Sequence, residues 1–339
     1  MRLILRLLAT LIALALLAGG GAIAYAYTQL TAPGNNEESL YLVKPGMSLY
    51  GVSEDLHTQR LLRNPQVFRL LARIKGQQNQ LKTGYYRFDG KMSGQTILQR
   101  LTRGQTEKIP YTIPEGYRID QAAARLDEHK LSPETYIALA RQPAADLLAR
   151  YPFLQETSGK TSLEGYLFPD TYFLTGTEQE LIEAQLRRFQ ELILPLWASR
   201  PASHPLNLDD TIRLASIVEL EGVRDSELPL IAGVFLERLR IGMMLQSDPT
   251  TEYALGWKQG PKGLSLKDIQ IDSPYNTYRY HGLPPTPIGN PGLAAVKAVI
   301  YPERSDYLYF VARGDGSHVF SRSYQEHLNA INRIVAGKK

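Results

Sequence analysis

The 339-residue chain contains no cysteine. That excludes disulfides, thiolate nucleophiles and Cys-ligated zinc. It does not fix a compartment, because an oxidising environment permits disulfides without requiring them. A large excess of one charge is also missing: 38 Lys and Arg stand against 34 Asp and Glu, a formal balance of +4. This argues against a strongly cationic nucleic-acid binder. With 43% hydrophobic and 21% charged residues, the chain has material for a core and is not a disordered tail. Its length suggests about two domains of roughly 150 residues each.

Several catalytic signatures are lacking too. The six histidines, His57, His129, His204, His281, His318 and His327, form no i, i+4 pair and no HExxH motif, so a zinc hydrolase has little support. There is no GxSxG elbow and no SxxK pair, and no GxxxxGK phosphate loop. Neither an internal repeat nor a low-complexity tract occurs. No metal or organic cofactor is expected, and the chemistry left to the chain is that of carboxylates.

Uncharged apolar sequence is concentrated in one place. Leu7–Tyr27 carries no charged side chain and is rich in Leu and Ala, and about 20 such residues span a bilayer as a helix. Arg2 and Arg6 precede it, whereas no basic residue follows before Lys44. The positive-inside rule then places the N-terminus in the cytoplasm and the rest of the chain outside. This gives a single-pass membrane protein whose working part lies outside the cytoplasm. A cleaved signal peptide is the competing reading, since Ala22-Ile23-Ala24 resembles a cleavage site; the run is nevertheless longer than the ~7–15 apolar residues of a signal.

The pattern divides the chain into a flank and anchor (1–27), a polar linker (28–39), a small module (40–105) and a larger domain (106–339). In the small module, Tyr41–Val43 and Tyr85–Phe88 read as strands. Ser48 caps a helix through Leu56 and on to Leu61, and Pro65–Ile74 and Ser93–Leu101 read as further helices. In the larger domain, Thr106–Pro114 reads as a strand, and helices are expected over Asp120–Glu128, Ser132–Arg141, Glu178–Leu192 and Asp209–Glu221. Asp306–Val311 reads as a strand before the turn Gly314-Asp315-Gly316 and His318-Val319-Phe320. The fold class is α+β.

The Asp209–Glu221 segment carries the clearest chemical signal. At roughly 100° per residue, Leu214, Ile217 and Val218 form one stripe, Glu221 shares it, and Glu219 points away. A carboxyl among aliphatic groups is partly desolvated, which raises its proton affinity, and a general acid near neutral pH needs that. The alternative is that Glu221, at the helix end, faces solvent or pairs with Arg224; Glu219 reads as a solvated or hydrogen-bonded residue. Downstream, Gln246, Asp248 and Thr250 punctuate an apolar approach to a turn, with Asp248 as helix cap and Pro249 as first helical residue. Gln246 and Asp248 remain candidates to line a pocket. Tyr275-Asn276-Thr277-Tyr278 combines aromatic faces with amide and hydroxyl groups, a set suited to sugar rings and also to packing a loop. Tyr outnumbers Phe by 20 to 9, in keeping with either.

Taken together, these segments resemble the endolytic murein transglycosylases of the MltG/YceG-like family. The resemblance covers nearly the whole chain. It includes the anchor, Val43-Lys44-Pro45-Gly46, Tyr85-Tyr86-Arg87-Phe88, Pro114-Glu115-Gly116 and Glu164-Gly165-Tyr166-Leu167-Phe168-Pro169-Asp170. The most specific matches are Ala215-Ser216-Ile217-Val218-Glu219-Leu220-Glu221, Arg238-Leu239-Arg240-Ile241-Gly242-Met243, Leu245-Gln246-Ser247-Asp248-Pro249-Thr250 and Tyr275-Asn276-Thr277-Tyr278. The family's catalytic glutamate maps onto Glu221; the family commonly has Lys where this chain has Leu220. The 40–105 module looks LysM-like, a type associated with glycan chains rich in N-acetylglucosamine.

The resemblance implies a lytic transglycosylase, a lyase that cuts between N-acetylmuramic acid and N-acetylglucosamine and leaves a 1,6-anhydro end, with Glu221 as acid and then base. It further implies a role in ending strand elongation. Ser216, Gln246, Asp248, Tyr275, Asn276 and Thr277 are the expected substrate-binding residues. Peptidoglycan strands are the expected partner, with peptidoglycan synthases as a further one and no nucleic acid. Two alternatives stay open: a glycan hydrolase using Glu221 with Asp248, and an anchored peptidoglycan-binding scaffold without catalysis.

Overall fold

The computed structural model describes residues 2–34, 38–154, 162–256 and 263–336. Within the expected flank and linker, Met1, the side chains of Arg2, Leu3 and Leu5, and residues 35–37 lie outside the described residues. The chain forms two compact units, residues 1–110 with 173–177, and residues 111–172 with 178–339. The first unit therefore extends past residue 105 and takes back a short later segment.

In the first unit, α1 (Arg2–Thr31) is a continuous helix, and Arg6–Thr31 is long and apolar enough to cross a membrane. It outruns the expected end at Tyr27. The Thr28 and Thr31 hydroxyls donate back to the Tyr25 and Tyr27 carbonyls, so these polar groups find partners within the helix.

Next come β1 (Ser39–Val43), α2 (Leu49–Thr58), α3 (Pro65–Ile74), β2 (Gly84–Phe88) and α4 (Gly94–Arg103). β1 and β2 are antiparallel with Tyr41 opposite Tyr86. Each helix begins where a side chain accepts a free N–H: Ser48 from Gly51, Asn64 from Val67 and Ser93 from Thr96. α2 stops at Thr58 rather than Leu61, because Arg60 takes a left-handed backbone that turns Leu61 and Leu62 inward. Val52, Leu56, Phe68, Tyr86, Phe88, Ile97 and Leu101 are fully buried together. Each large apolar side chain contributes about 1.5–3 kcal/mol by leaving water.

β3 (Ile109–Thr112) pairs with β4 (Thr171–Leu174), and the chain passes between the units within these strands. The second unit adds α5 (Ile119–Ala123), α6 (Pro133–Arg141), α7 (Ala145–Arg150), α8 (Glu178–Ala198), α9 (Leu208–Glu221), α10 (Leu228–Arg240), α11 (Asp248–Ala254) and α12 (Leu293–Ile300). β5 (Tyr309–Ala312), β6 (His318–Ser321) and α13 (Tyr324–Ala336) complete it. β5 and β6 form the expected hairpin, with Phe310 opposite Phe320. The helix expected over 120–128 is only α5 plus a single turn at Asp127–His129, because Leu126 folds inward and is fully buried. α8 continues beyond Leu192 to Ala198, with Pro195 in its last turn.

The core that positions the site is built from α9, α10 and α12, which pack on one another. Ile212, Leu214, Ile217 and Val218 of α9 meet Ile231, Val234 and Phe235 of α10 and Val296 and Val299 of α12, all essentially without exposure.

Candidate active site

α9 starts one residue before the expected position. Its cap is Asn207, whose side chain accepts the Asp210 N–H at 2.8 Å. Asp209 lies inside the first turn, where it accepts the Tyr166 hydroxyl at 2.7 Å and pairs with Arg213. The other end is fixed by Gly222: a Cβ there would fall 2.2 Å from Leu228 Cδ2. Glycine thus lets α9 stop against the first turn of α10, with Glu221 as its last residue.

Glu221 is only partly exposed, and its carboxyl is enclosed by protein. The Ser247 hydroxyl donates to Oε1 at 2.6 Å. Loss of hydration is the largest influence on this carboxyl and pushes it up to about 7; nearby Asp248 and Glu252 act in the same direction, while the Ser247 bond and Arg238 oppose it. Such a group is divided between acid and carboxylate near neutral pH, as an acid that later serves as base requires. Arg224 donates instead to the Asp315 carbonyl at 2.8 Å, so the Glu221–Arg224 pair is not formed.

The segment opposite Glu221 is tightly held. Gln246 has a left-handed backbone (φ +48) and its N–H donates to the Thr277 carbonyl at 3.1 Å. The Ser247 N–H donates to Thr277 Oγ1 at 3.0 Å, and the Thr250 hydroxyl donates to the Ser247 carbonyl at 2.7 Å. Asp248 is the first residue of α11, with Ser247 rather than Asp248 at the cap position. The Asp248 carboxylate is exposed and accepts the Tyr278 hydroxyl at 2.6 Å. Burial raises that phenol's proton affinity, and the bond to Asp248 adds to it. Arg238 is buried and ties two segments by donating to the Leu245 carbonyl at 2.6 Å and the Leu308 carbonyl at 2.7 Å.

Of the residues expected to bind substrate, Gln246 and Asp248 are exposed beside Glu221's partner Ser247. Thr277 supports that segment from below. Tyr275 is half-buried, its hydroxyl 2.8 Å from Thr286 Oγ1 and its ring 4.8 Å from that of Tyr253. Asn276 is fully buried and turned to the protein: its amide donates to the Ile269 and Ile271 carbonyls and accepts from Thr251 and the Tyr278 N–H. Ser216 is also fully buried, donating to the Arg213 carbonyl and accepting the Ile288 N–H at 3.0 Å. Both polar groups hold loops that frame the site.

Ser247, Tyr278 and Arg238 belong to motifs quoted from the sequence but are not among the expected site residues. Ser247 sits in a run whose spacing reads as a helix cap, and only the fold brings its hydroxyl 26 positions back along the chain to Glu221.

Two further carboxyls are buried near α9. Glu219 points away from Glu221, as the helical spacing requires, and its carboxylate accepts the Gly292 N–H at 2.9 Å. Burial pushes it up to about 7, with Glu115 and Asp225 adding repulsion. Glu164 accepts the Ile119 N–H and the Asn290 amide, both at 3.1 Å, and burial pushes it up to about 8. Asn290 in turn accepts the Gly165 and Leu167 N–H groups at 2.8 and 3.0 Å. The Glu164–Asp170 motif is therefore tied to the 287–290 loop at one knot.

The YceG-like family model matches residues 41–333. The endolytic murein transglycosylase of Bacillus subtilis (strain 168) is 30% identical over 310 residues, covering 87% of this chain and 84% of that protein. The endolytic murein transglycosylase of Streptococcus pneumoniae serotype 2 (strain D39) is 32% identical, covering 97% of this chain and 65% of that protein, so this chain spans somewhat under two thirds of the pneumococcal relative. A crystal structure of a YceG-like protein from Listeria monocytogenes superposes with a TM-score of 0.59 at 31% identity, covering 87% of this chain and all of that one. The chain belongs to the YceG-like family.

Proposed function

We propose that this protein cuts the glycan strands of peptidoglycan internally, without water, using Glu221 as its single acid and base. The class of enzyme, a lytic transglycosylase, follows from relatives that carry that name over most of the chain. The observation that supports the mechanism is the Glu221 carboxyl, poised near neutrality by burial and hydrogen-bonded on one oxygen by Ser247.

Glu221 in its acid form gives its proton to the glycosidic oxygen that links N-acetylmuramic acid to N-acetylglucosamine, and the C1–O bond breaks. The muramoyl C6 hydroxyl then attacks C1 to close the 1,6-anhydro ring, and its proton goes to the Glu221 carboxylate. The enzyme returns to its starting protonation state. The Asp248 carboxylate, fixed by the Tyr278 hydroxyl, faces the positive charge that develops at C1. Gln246 and Tyr275 orient the sugars, while Ser216, Asn276 and Thr277 act on substrate through the loops they hold. Cutting a growing strand would end its elongation, and peptidoglycan synthases are the natural partners of that step.

Asp248 also supports a second reading, since a carboxylate near an acid could activate a water and make the enzyme a hydrolase. Mass spectrometry of products from purified strands separates the two. The lyase gives ends lighter by one water than the reducing ends of a hydrolase; reducing ends as the sole product would overturn it. Glu221→Gln, which cannot cycle a proton, should lower cleavage by roughly 10²–10⁴-fold. Cleavage by this variant at the wild-type rate would remove Glu221 from the mechanism.

In the first unit, the LysM-like segment supports glycan binding outside the catalytic centre. A groove of about 480 Å³ between the start of α2, α3 and the loop after α3 is lined by Met47, Tyr50, Arg69, Arg73, Gln78 and Asn79. The helix α1 supports a single-pass anchor, with Arg2 and Arg6 holding the N-terminus in the cytoplasm.

A further inference from the structure

Ser247 is fully buried at the N-terminal cap position of α11. A serine there ordinarily accepts an N–H of the helix's first turn, yet this hydroxyl makes no such bond and reaches Glu221 Oε1 instead. Its backbone is clamped on both sides, by Thr277 on the N–H and Thr250 on the carbonyl. The preceding Gln246 is held in a left-handed conformation that a non-glycine residue seldom adopts. Backbone strain of this kind persists where the surroundings over-determine it, and here it aims one hydroxyl at one carboxylate oxygen.

We infer that Ser247 is the positioning residue of the proton cycle: by occupying Oε1 it confines the exchangeable proton of Glu221 to Oε2, and it favours the carboxylate stage over the acid stage. This rests on the reading of Glu221 given above. In the first step the O–H bond at Oε2 breaks and the proton passes to the glycosidic oxygen. The Ser247 bond then becomes charge-assisted and strengthens. In the second step the C6 hydroxyl proton arrives at Oε2 as the ring closes. Ser247 neither gains nor loses a proton. The other charged or titratable groups around Glu221 are Asp248 and Glu252 on α11, Arg238 on α10 and Tyr278 on the following loop. None of these is hydrogen-bonded to the Glu221 carboxyl; among the described residues, Ser247 alone is.

The sign of the effect is fixed. Ser247 stabilises the anion, so its removal lets Glu221 keep its proton to higher pH. Cleavage that needs the acid form is lost as pH rises, and that alkaline limb moves upward. Ser247→Ala in the full chain, assayed on purified strands across pH, should shift the limb up by roughly one pH unit and lower kcat with little change in KM. Ser247→Cys, nearly the same shape with a weak donor, should shift it likewise and covers the case in which Ala does not fold. Ser247→Thr, which keeps the hydroxyl, should return the limb to its wild-type place. Melting curves of each variant confirm a folded protein.

A limb unmoved in Ala and Cys overturns the inference, as does a limb that follows shape, with Thr resembling Ala. Glu221→Gln in the same assay separates the two levels. If it still cuts, the Glu221 mechanism falls; if it is inactive while the Ser247 variants keep the wild-type limb, only the Ser247 inference falls.

Discussion

Three glutamates, Glu164, Glu219 and Glu221, are buried enough to hold protons near neutral pH, and each makes its contribution to stability depend on pH. Each has a proton affinity raised above its unfolded value, so the folded state binds more protons than the unfolded one between the two. Their contribution is complete below the ordinary glutamate range and is lost as pH rises through about 7 to 8. His204 and His327 act oppositely: burial lowers their proton affinity, so folding gains from them as pH rises toward the ordinary histidine value. Glu164 isolates the carboxyl effect, since it is 5% exposed and lies in a hydrogen-bonded knot. Glu164→Gln supplies a permanently neutral group of the same shape. Thermal unfolding at pH 5 and pH 8 should show a smaller loss of Tm across that interval in the variant than in wild type. Equal losses would mean that Glu164 is ionised in the folded protein throughout.

At the scale of elements, periodicity in the sequence located most helices, and it placed Glu221 on the buried face of α9 with Glu219 opposite. It was less informative where a tertiary contact decides a boundary. Leu126 is drawn into the core and cuts short the helix expected after Asp120, and Asp209 is taken by Tyr166 and Arg213, leaving Asn207 as the cap. The candidate site was legible to the same extent. A single carboxyl on a single helix face can be read from 3.6-residue spacing, whereas Ser247 reaches that carboxyl only through a loop closed by Thr277 and Thr250. Polar residues of a loop motif look alike in sequence whether they face a ligand, as Gln246 can, or satisfy buried backbone, as Asn276 does.

The small module offers its own element-level prediction. The exposed Tyr50 ring on α2 is braced by the Arg69 guanidinium of α3, 4.6 Å from its centroid, and Arg69 is held by Glu54. A braced, exposed ring beside the amides Gln78 and Asn79 fits the glycan binding proposed for this module, as a platform for a sugar face. In an uncut background, with Glu221→Gln throughout, Tyr50→Ala should weaken strand binding by roughly 2- to 10-fold, the scale of one ring-stacking contact of about 0.5–1.5 kcal/mol. Unchanged affinity would exclude this groove from strand binding.

For the whole molecule, one apolar helix and two folded units have to be reconciled with a substrate that lies outside the cytoplasm. α1 exposes its Leu and Ile side chains along its length, among them Leu7, Leu11, Leu16, Leu17 and Ile23. Exposed in water this surface would be costly, and in lipid it costs nothing. The charge asymmetry across α1, with Arg2 and Arg6 on one side and no basic residue until Lys44 on the other, supports the proposed orientation with the N-terminus in the cytoplasm. It also leaves the portion beyond the anchor closer to neutral than the chain as a whole. The absence of cysteine makes this orientation directly measurable, because any thiol introduced is the only one. Asn332, exposed on α13 in the second unit, is a suitable position. In intact spheroplasts, Asn332→Cys should react fully with a membrane-impermeant maleimide, and lysis should add no further label. Labelling only after lysis would put the second unit in the cytoplasm, out of reach of any peptidoglycan strand.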